Sequence, residues 1–196
     1  MNLLINPLPD KTKYGYNVRT DFRYWINFAR ILDDDSLDDM TKVELSLKSV
    51  YVKDTNFNDI DNLINGALDF YRMGEPIDDK AKKNSKILDF DKDAQHIIVS
   101  FQQQYGIRLL SERLHWWEFK ILLNGLNTDT IMGSIMQIRA SKITSDMSKA
   151  EKQHLMKMKR LYSLQDIKDA PKLTEEDFIK QIKSQETEIR KSAVAN

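Results

Sequence analysis

Residues 60–71 read IDNLINGALDFY, and Ile60, Leu63, Ile64, Ala67, Leu68 and Tyr71 fall at the i, i+3, i+4, i+7, i+8, i+11 spacing of a single helical face. The spacing predicts a strongly amphipathic helix, and Gly74 supplies its stop. The same period returns on either side. Upstream, Thr20 offers an N-cap, Asp21 suits a helix N-terminus, and Phe22, Trp25, Ile26, Ala29 and Leu32 predict a first helix to about Asp33. Asp33 to Asp39 is an acidic break. Beyond it Thr41 and Glu44 have capping-box spacing ahead of Leu45, Leu47 and Val50, which predicts a shorter second helix. At the start of the chain, Leu3 to Leu8 and Tyr14 to Val18 read as short extended pieces around a turn signal at Pro9 to Lys13, hence a small β-hairpin.

Downstream, Glu75 to Ser85 (EPIDDKAKKNS) contains Pro76, mixed charge and no large apolar residue beyond Ile77, so it reads as a mobile loop. Phe90, Ala94, Ile97, Ile98, Phe101 and Tyr105 resume the helical register up to Gly106. Ser111 is placed to cap a fifth helix through SERLHWWEFKILLNG, apolar around much of its circumference and therefore central to a bundle. Thr130 to Ala140 predicts a sixth helix, and Ser148 with Glu151 caps another that carries Leu155, Met158, Leu161 and Tyr162. After Pro171, only Phe178, Ile182 and Ile189 share an apolar face, which predicts a weak, fraying helix. The pattern as a whole predicts a mainly α protein, a bundle of about seven helices with a small N-terminal β-hairpin. Residues 1–165 form a single helical domain, and 166–196 form a weakly packed C-terminal helix or tail.

Lysine plus arginine and aspartate plus glutamate each number 30, so no global field draws the 196-residue chain to nucleic acid or to an anionic membrane. The absence of cysteine removes disulfides, thiolate metal sites and thiol nucleophiles together. The start, MNLLINPLPDKTKYGY, has no basic leader followed by an apolar run, and the longest apolar runs fall far short of the roughly 20 residues that span a bilayer. No transmembrane helix and no secretion signal are expected.

Chemistry finds no foothold. His96, His115 and His154 never share the i, i+3 or i, i+4 spacing that puts two imidazoles on one helical face. His115, beside Trp116 and Trp117, reads as a buried hydrogen-bonded residue rather than a pH sensor. DDDSLDDMTKVE sets Asp33, Asp35 and Glu44 at the first, third and twelfth places of a calcium loop, but Leu37 and Asp38 occupy the fifth place and the glycine place. DTNFND from Asp54 fails likewise and reads as a helix-capping turn. Phosphate-cradling and nucleophile-elbow glycine motifs are missing, so neither catalysis nor a cofactor or metal is expected.

Two features suit binding to another protein. Trp116 and Trp117 stand about 100° apart around a helix, so one can face the core while the other reaches a partner, with core packing of both as the plainer alternative. Lys149 to Arg160 (KAEKQHLMKMKR) is basic and methionine-rich. Met147 just before it, and Met156 and Met158 within it, can seat a flexible apolar partner, or simply turn inward from a solvated face.

The motifs INPLPD (5–10), TDFRYWINF (20–28), FYRMGE (70–75), LDFDKDAQHIIVSFQQQYGI (88–107), LHWWEFKILLNGL (114–126) and DTIMGSIMQIRA (129–140), in this order and spacing, resemble a known family. It is that of the bacteriophage proteins called gene product fifteen, from long-tailed phages and prophages of Gram-positive bacteria, and the resemblance runs from Ile5 to Leu164. Genes of that family typically lie between those of the tail tube and tape measure proteins, which implies a tail assembly chaperone. The implied partners are the tape measure protein, the tail tube protein and other copies of the chain. The implied place is the cytoplasm of the bacterial host rather than the mature virion. The rival within the same resemblance is a structural virion protein, a head-to-tail connector or tail completion component. The family offers no catalytic residue to carry over, and the tail from Lys172 has no counterpart in its pattern.

Overall fold

The computed structural model describes residues 2–52, 55, 58–76 and 86–164. Among them are seven helices: α1 (Phe22–Leu32), α2 (Asp39–Val50), α3 (Ile60–Tyr71), α4 (Ala94–Tyr105), α5 (Trp116–Asn124), α6 (Ile131–Ala140) and α7 (Lys149–Leu161). The protein is mainly α. Most of the expected loop at 75–85 and the tail at 166–196 lie outside the described residues.

The N-terminal hairpin is not there, and the described residues contain no strand. Residues 2–6 instead turn on themselves, with the amides of Ile5 and Asn6 both bonded to the carbonyl of Asn2. Pro7 and Pro9 bring no amide to a ladder, and Leu4 and Ile5 stand in solvent, so an extended first arm has neither donors nor a face to bury. A tight loop closes from the Thr12 amide to the Tyr16 carbonyl at 2.9 Å, leaving one isolated bridge between Lys11 and Asn17.

Helix starts also differ from the sequence reading in detail. Asp21, rather than Thr20, caps α1 by accepting the Arg23 amide, and Asp38, rather than Thr41, caps α2 by accepting the Thr41 amide. In both, an aspartate at the N-cap position takes the role, its carboxylate accepting the second or third helical amide. Helix α5 begins at Trp116, not near Ser111, because the His115 ring accepts the Trp117 amide as cap. Thr130 and the Ser148–Glu151 capping box stand where the spacing put them. At the end of α3 the left-handed turn already falls on Met73 (φ 63°), and Gly74 completes it by donating to the Asp69 carbonyl at 2.9 Å.

The starts of α1 and α5 satisfy each other. The first helical amide of α1, Phe22, bonds to the Leu114 carbonyl at 3.0 Å, and that of α5, Trp116, bonds to the Thr20 carbonyl at 2.7 Å. Two donors that a helix leaves unpaired at its N-terminus are thereby paired across the fold. Around this junction α1 packs on α2 and α5, α4 on α6 and α5, and α7 on α6.

The core is largely aromatic. Trp25 stacks on Phe70 at 4.7 Å between ring centres, Trp116 on Tyr71 at 5.1 Å, and Phe119 lies between Phe22 at 4.6 Å and Phe101 at 5.2 Å. Each such pair contributes about 0.5–1.5 kcal/mol beyond the burial of its area. The buried Ser100 hydroxyl accepts the Met132 amide at 3.0 Å, which secures the start of α6 against α4.

Candidate functional site

Trp116 and Trp117 are 1% and 8% exposed, and both indoles donate inside the protein. Trp116 Nε1 reaches the Tyr71 carbonyl at 3.1 Å and Trp117 Nε1 the Phe70 carbonyl at 2.9 Å. These are carbonyls at the C-terminal end of α3, which a helix cannot pair for itself. The adjacent tryptophans are thus used together, as the side chains that finish α3 and fill the centre of the core. His115 belongs to the same unit. Its Nδ1 accepts the Trp117 amide at 3.0 Å, so the proton sits on Nε2 and is donated to the Pro9 carbonyl at 2.9 Å. Burial pushes its pKa below the ordinary imidazole value.

A cleft of about 710 Å³ opens between α1, residues 86–91 and α5, with Tyr71 and Trp116 in its floor. Lys120 crosses that floor, its ammonium 5.6 Å from the centre of the Tyr71 ring and 5.8 Å from that of Trp116, and burial holds its pKa below the usual lysine range. The rim charges pair with one another, Arg30 with Asp91 at 2.8 Å and Lys86 with Asp33 at 2.8 Å. A smaller apolar slot of about 170 Å³ lies among Ile26, Ile98, Leu110 and Phe119, the size of one side chain. Among the described residues no three His, Asp or Glu side chains gather as a metal site, and no helix is long and apolar enough to cross a membrane.

Helix α7 is built differently from the other six, since it contains no buried residue. Its ties to the body are polar: Lys159 Nζ donates to the Arg139 carbonyl at 2.7 Å, and Arg139 Nε donates to the Tyr162 carbonyl at 2.7 Å. The helix forms because its own ends are well made. Ser148 Oγ accepts the Glu151 amide while the Glu151 carboxylate accepts the Ser148 amide at 2.7 Å, and these bonds hold that carboxyl below the usual range. Lys159 and Arg160 in the last turn suit the helix dipole. Between the connector at Ser141 to Met147 and the helix lies a groove of about 520 Å³, walled by Met147, Ala150, His154 and Leu155. Met147 and Met158 are half-buried, whereas Met156 is 51% exposed and Leu161 67% exposed. The three methionines do not form one patch, because Met156 and Met158, two apart, face about 200° away from each other.

Residues 4–164 match the family model described as Bacteriophage Gp15 protein. The chain belongs to that family. It is a phage structural or morphogenesis protein, and the match takes in all seven helices, α7 and its groove included, while stopping at the last described residue. No curated protein and no solved structure matches the chain.

For this family member the sequence pointed to the methionines of α7 but not to Ala150, His154, Lys157 and Leu161, which make one exposed row at i, i+4, i+7, i+11. Nor did spacing single out Arg139, whose guanidinium reaches α4, the segment before it and the end of α7 together.

Proposed function

We propose that this protein is a tail assembly chaperone, which holds the tape measure protein, the tail tube subunits or both while a phage tail is built. On this reading it works in the host cytoplasm, performs no catalysis and leaves before the virion is complete. The observation that carries the reading is α7, a well-capped helix with no buried residue, displaying apolar side chains beside an open groove. A helix that a protein makes and does not use in its own core is surface available to another chain. The base of α7 is α6, whose Met132 and Ile135 belong to the core.

Coexpression with the tape measure protein of the same genome tests the reading. The expected outcome is a tape measure protein that stays in solution only with this chain and copurifies with it, together with absence of this chain from purified virions by mass spectrometry. A tape measure protein that ignores the chain, with the chain present at fixed stoichiometry in virions, makes it a structural component instead.

A further inference from the structure

The outer surface of α7 carries two neighbouring rows. One is Ala150, His154, Lys157 and Leu161, whose first two members wall the groove, and the other is Lys149, Gln153, Met156 and Arg160, on the side away from it. All eight side chains are exposed. The first row with Met147 and Met158 has the spacing by which a helix receives the apolar side of another helix.

Charge narrows the choice of occupant. Within α7 the cations are Lys149, Lys152, Lys157, Lys159 and Arg160, and the sole carboxylate, Glu151, is taken up by the capping box. Lys152 and Lys159 donate to the carbonyls of Ser145 and Arg139 and so hold the helix in place. Among the described residues no carboxylate pairs with Lys149, Lys157 or Arg160. Lys157 stands within the first row and Lys149 and Arg160 in the row beside it, on a chain whose net charge is zero, so the positive charge is a local property of this face. We infer that the groove side of α7 takes an acidic amphipathic helix, its apolar row seated along Ala150, His154 and Leu161 and its carboxylates reaching Lys157 and Arg160. A membrane fits less well. The apolar strip is one row wide, and beside Ala150 and His154 the groove walled by Ser141 and Met147 has room for a side chain but not for a bilayer surface.

This rests on the reading of the protein as one that holds a client, and names the client's chemistry. Its test needs no client. Two labelled synthetic helical peptides share the same leucines at i, i+3, i+4 and i+7, one with glutamate and one with lysine at the remaining positions. Each is titrated with the full-length chain by fluorescence anisotropy, beside vesicles rich in phosphatidylglycerol. The acidic peptide is expected to bind at least tenfold tighter than the basic one, to weaken with added salt, and to lose tenfold or more with K157E/R160E, while L161D removes binding of both. Every changed residue is exposed, and unchanged circular dichroism and unfolding midpoints show that the fold is kept. Equal binding of the two peptides, indifference to K157E/R160E, or retention by vesicles alone overturns the inference. Because the tape measure protein is absent from this experiment, such a failure leaves the copurification result standing on its own.

Discussion

Arg139 on α6 and Asp93 at the start of α4 form a two-pronged ion pair of 2.6 and 2.9 Å, with side chains only 9% and 2% exposed. Two further donors of the guanidinium are used, Nε on the Tyr162 carbonyl and Nη1 on the Ile87 carbonyl at 3.0 Å. Asp93 in turn accepts the Asp89 amide at 2.9 Å. One residue thereby fastens α4, the segment leading into it, and the far end of α7. Planar geometry makes arginine, not lysine, suited to this position.

Removal of either partner leaves a buried charge unmatched, at a cost of about 3–5 kcal/mol. Arg139→Met is therefore expected to lower stability by that order in urea denaturation. It is also expected to raise hydrogen exchange in α7, because the Tyr162 carbonyl loses its donor. Arg139→Met with wild-type stability and unchanged exchange in α7 would show that the pair holds nothing together.

Gly133 lies where α6 passes over the Asn127 to Thr130 turn. A Cβ there would sit 2.0 Å from the Asn127 carbonyl oxygen, which is backbone and cannot swing aside. Alanine is the better helix former by up to about 1 kcal/mol, but the overlap outweighs it. Gly133→Ala is expected to destabilise by about 1–3 kcal/mol. A urea midpoint at or above that of the wild type contradicts the close approach.

His115 makes stability depend on pH. Its folded pKa lies below the unfolded value of about 6.5, so as pH falls the unfolded chain takes up the proton first. The contribution of the neutral ring is complete above about pH 6.5 and is lost as pH falls below that value toward the folded pKa. Protonation would also set an Nδ1 proton against the Trp117 amide it now accepts. His115→Asn puts a capping oxygen in place of the Nδ1 acceptor and removes the titration. Unfolding free energies measured from about pH 8 to 5.5 should fall less steeply for the variant than for the wild type. Parallel curves would place the pH dependence elsewhere, since His96 and His154 are common to both chains.

Legibility in the sequence followed the strength of the period. The stripe from Ile60 to Tyr71 is readable to the residue, and that of α4 to its end at Tyr105, though its register runs from Phe90 in the sequence and the helix starts at Ala94, because one face is buried and the other wet. The cap of α5 was not, since histidine is an unusual capping residue and its role comes from the Pro9 carbonyl, more than a hundred residues away in the chain. The two extended arms failed because alternation alone does not make a sheet when Pro7 and Pro9 remove donors and no neighbour offers a ladder. For Trp116 and Trp117, helical spacing left a partner-facing indole open. Only the position of α3's last carbonyls shows that both rings turn inward. The exposure of α7 was equally hidden, because an amphipathic pattern states which face is apolar and not whether anything covers it.

In the proposed function the aromatic bundle is a scaffold and the face of α7 does the holding. The most direct measurement is the amount of tape measure protein that copurifies with three forms of the chain: wild type, K157E/L161D on α7, and Trp117→Phe in the core. The account predicts that K157E/L161D folds normally and loses most of the captured tape measure protein. Trp117→Phe is expected to be less stable by about 1 kcal/mol for its lost hydrogen bond and still to capture as the wild type does. Undiminished capture by the α7 variant, or loss of capture in the core variant alone, would contradict the claim.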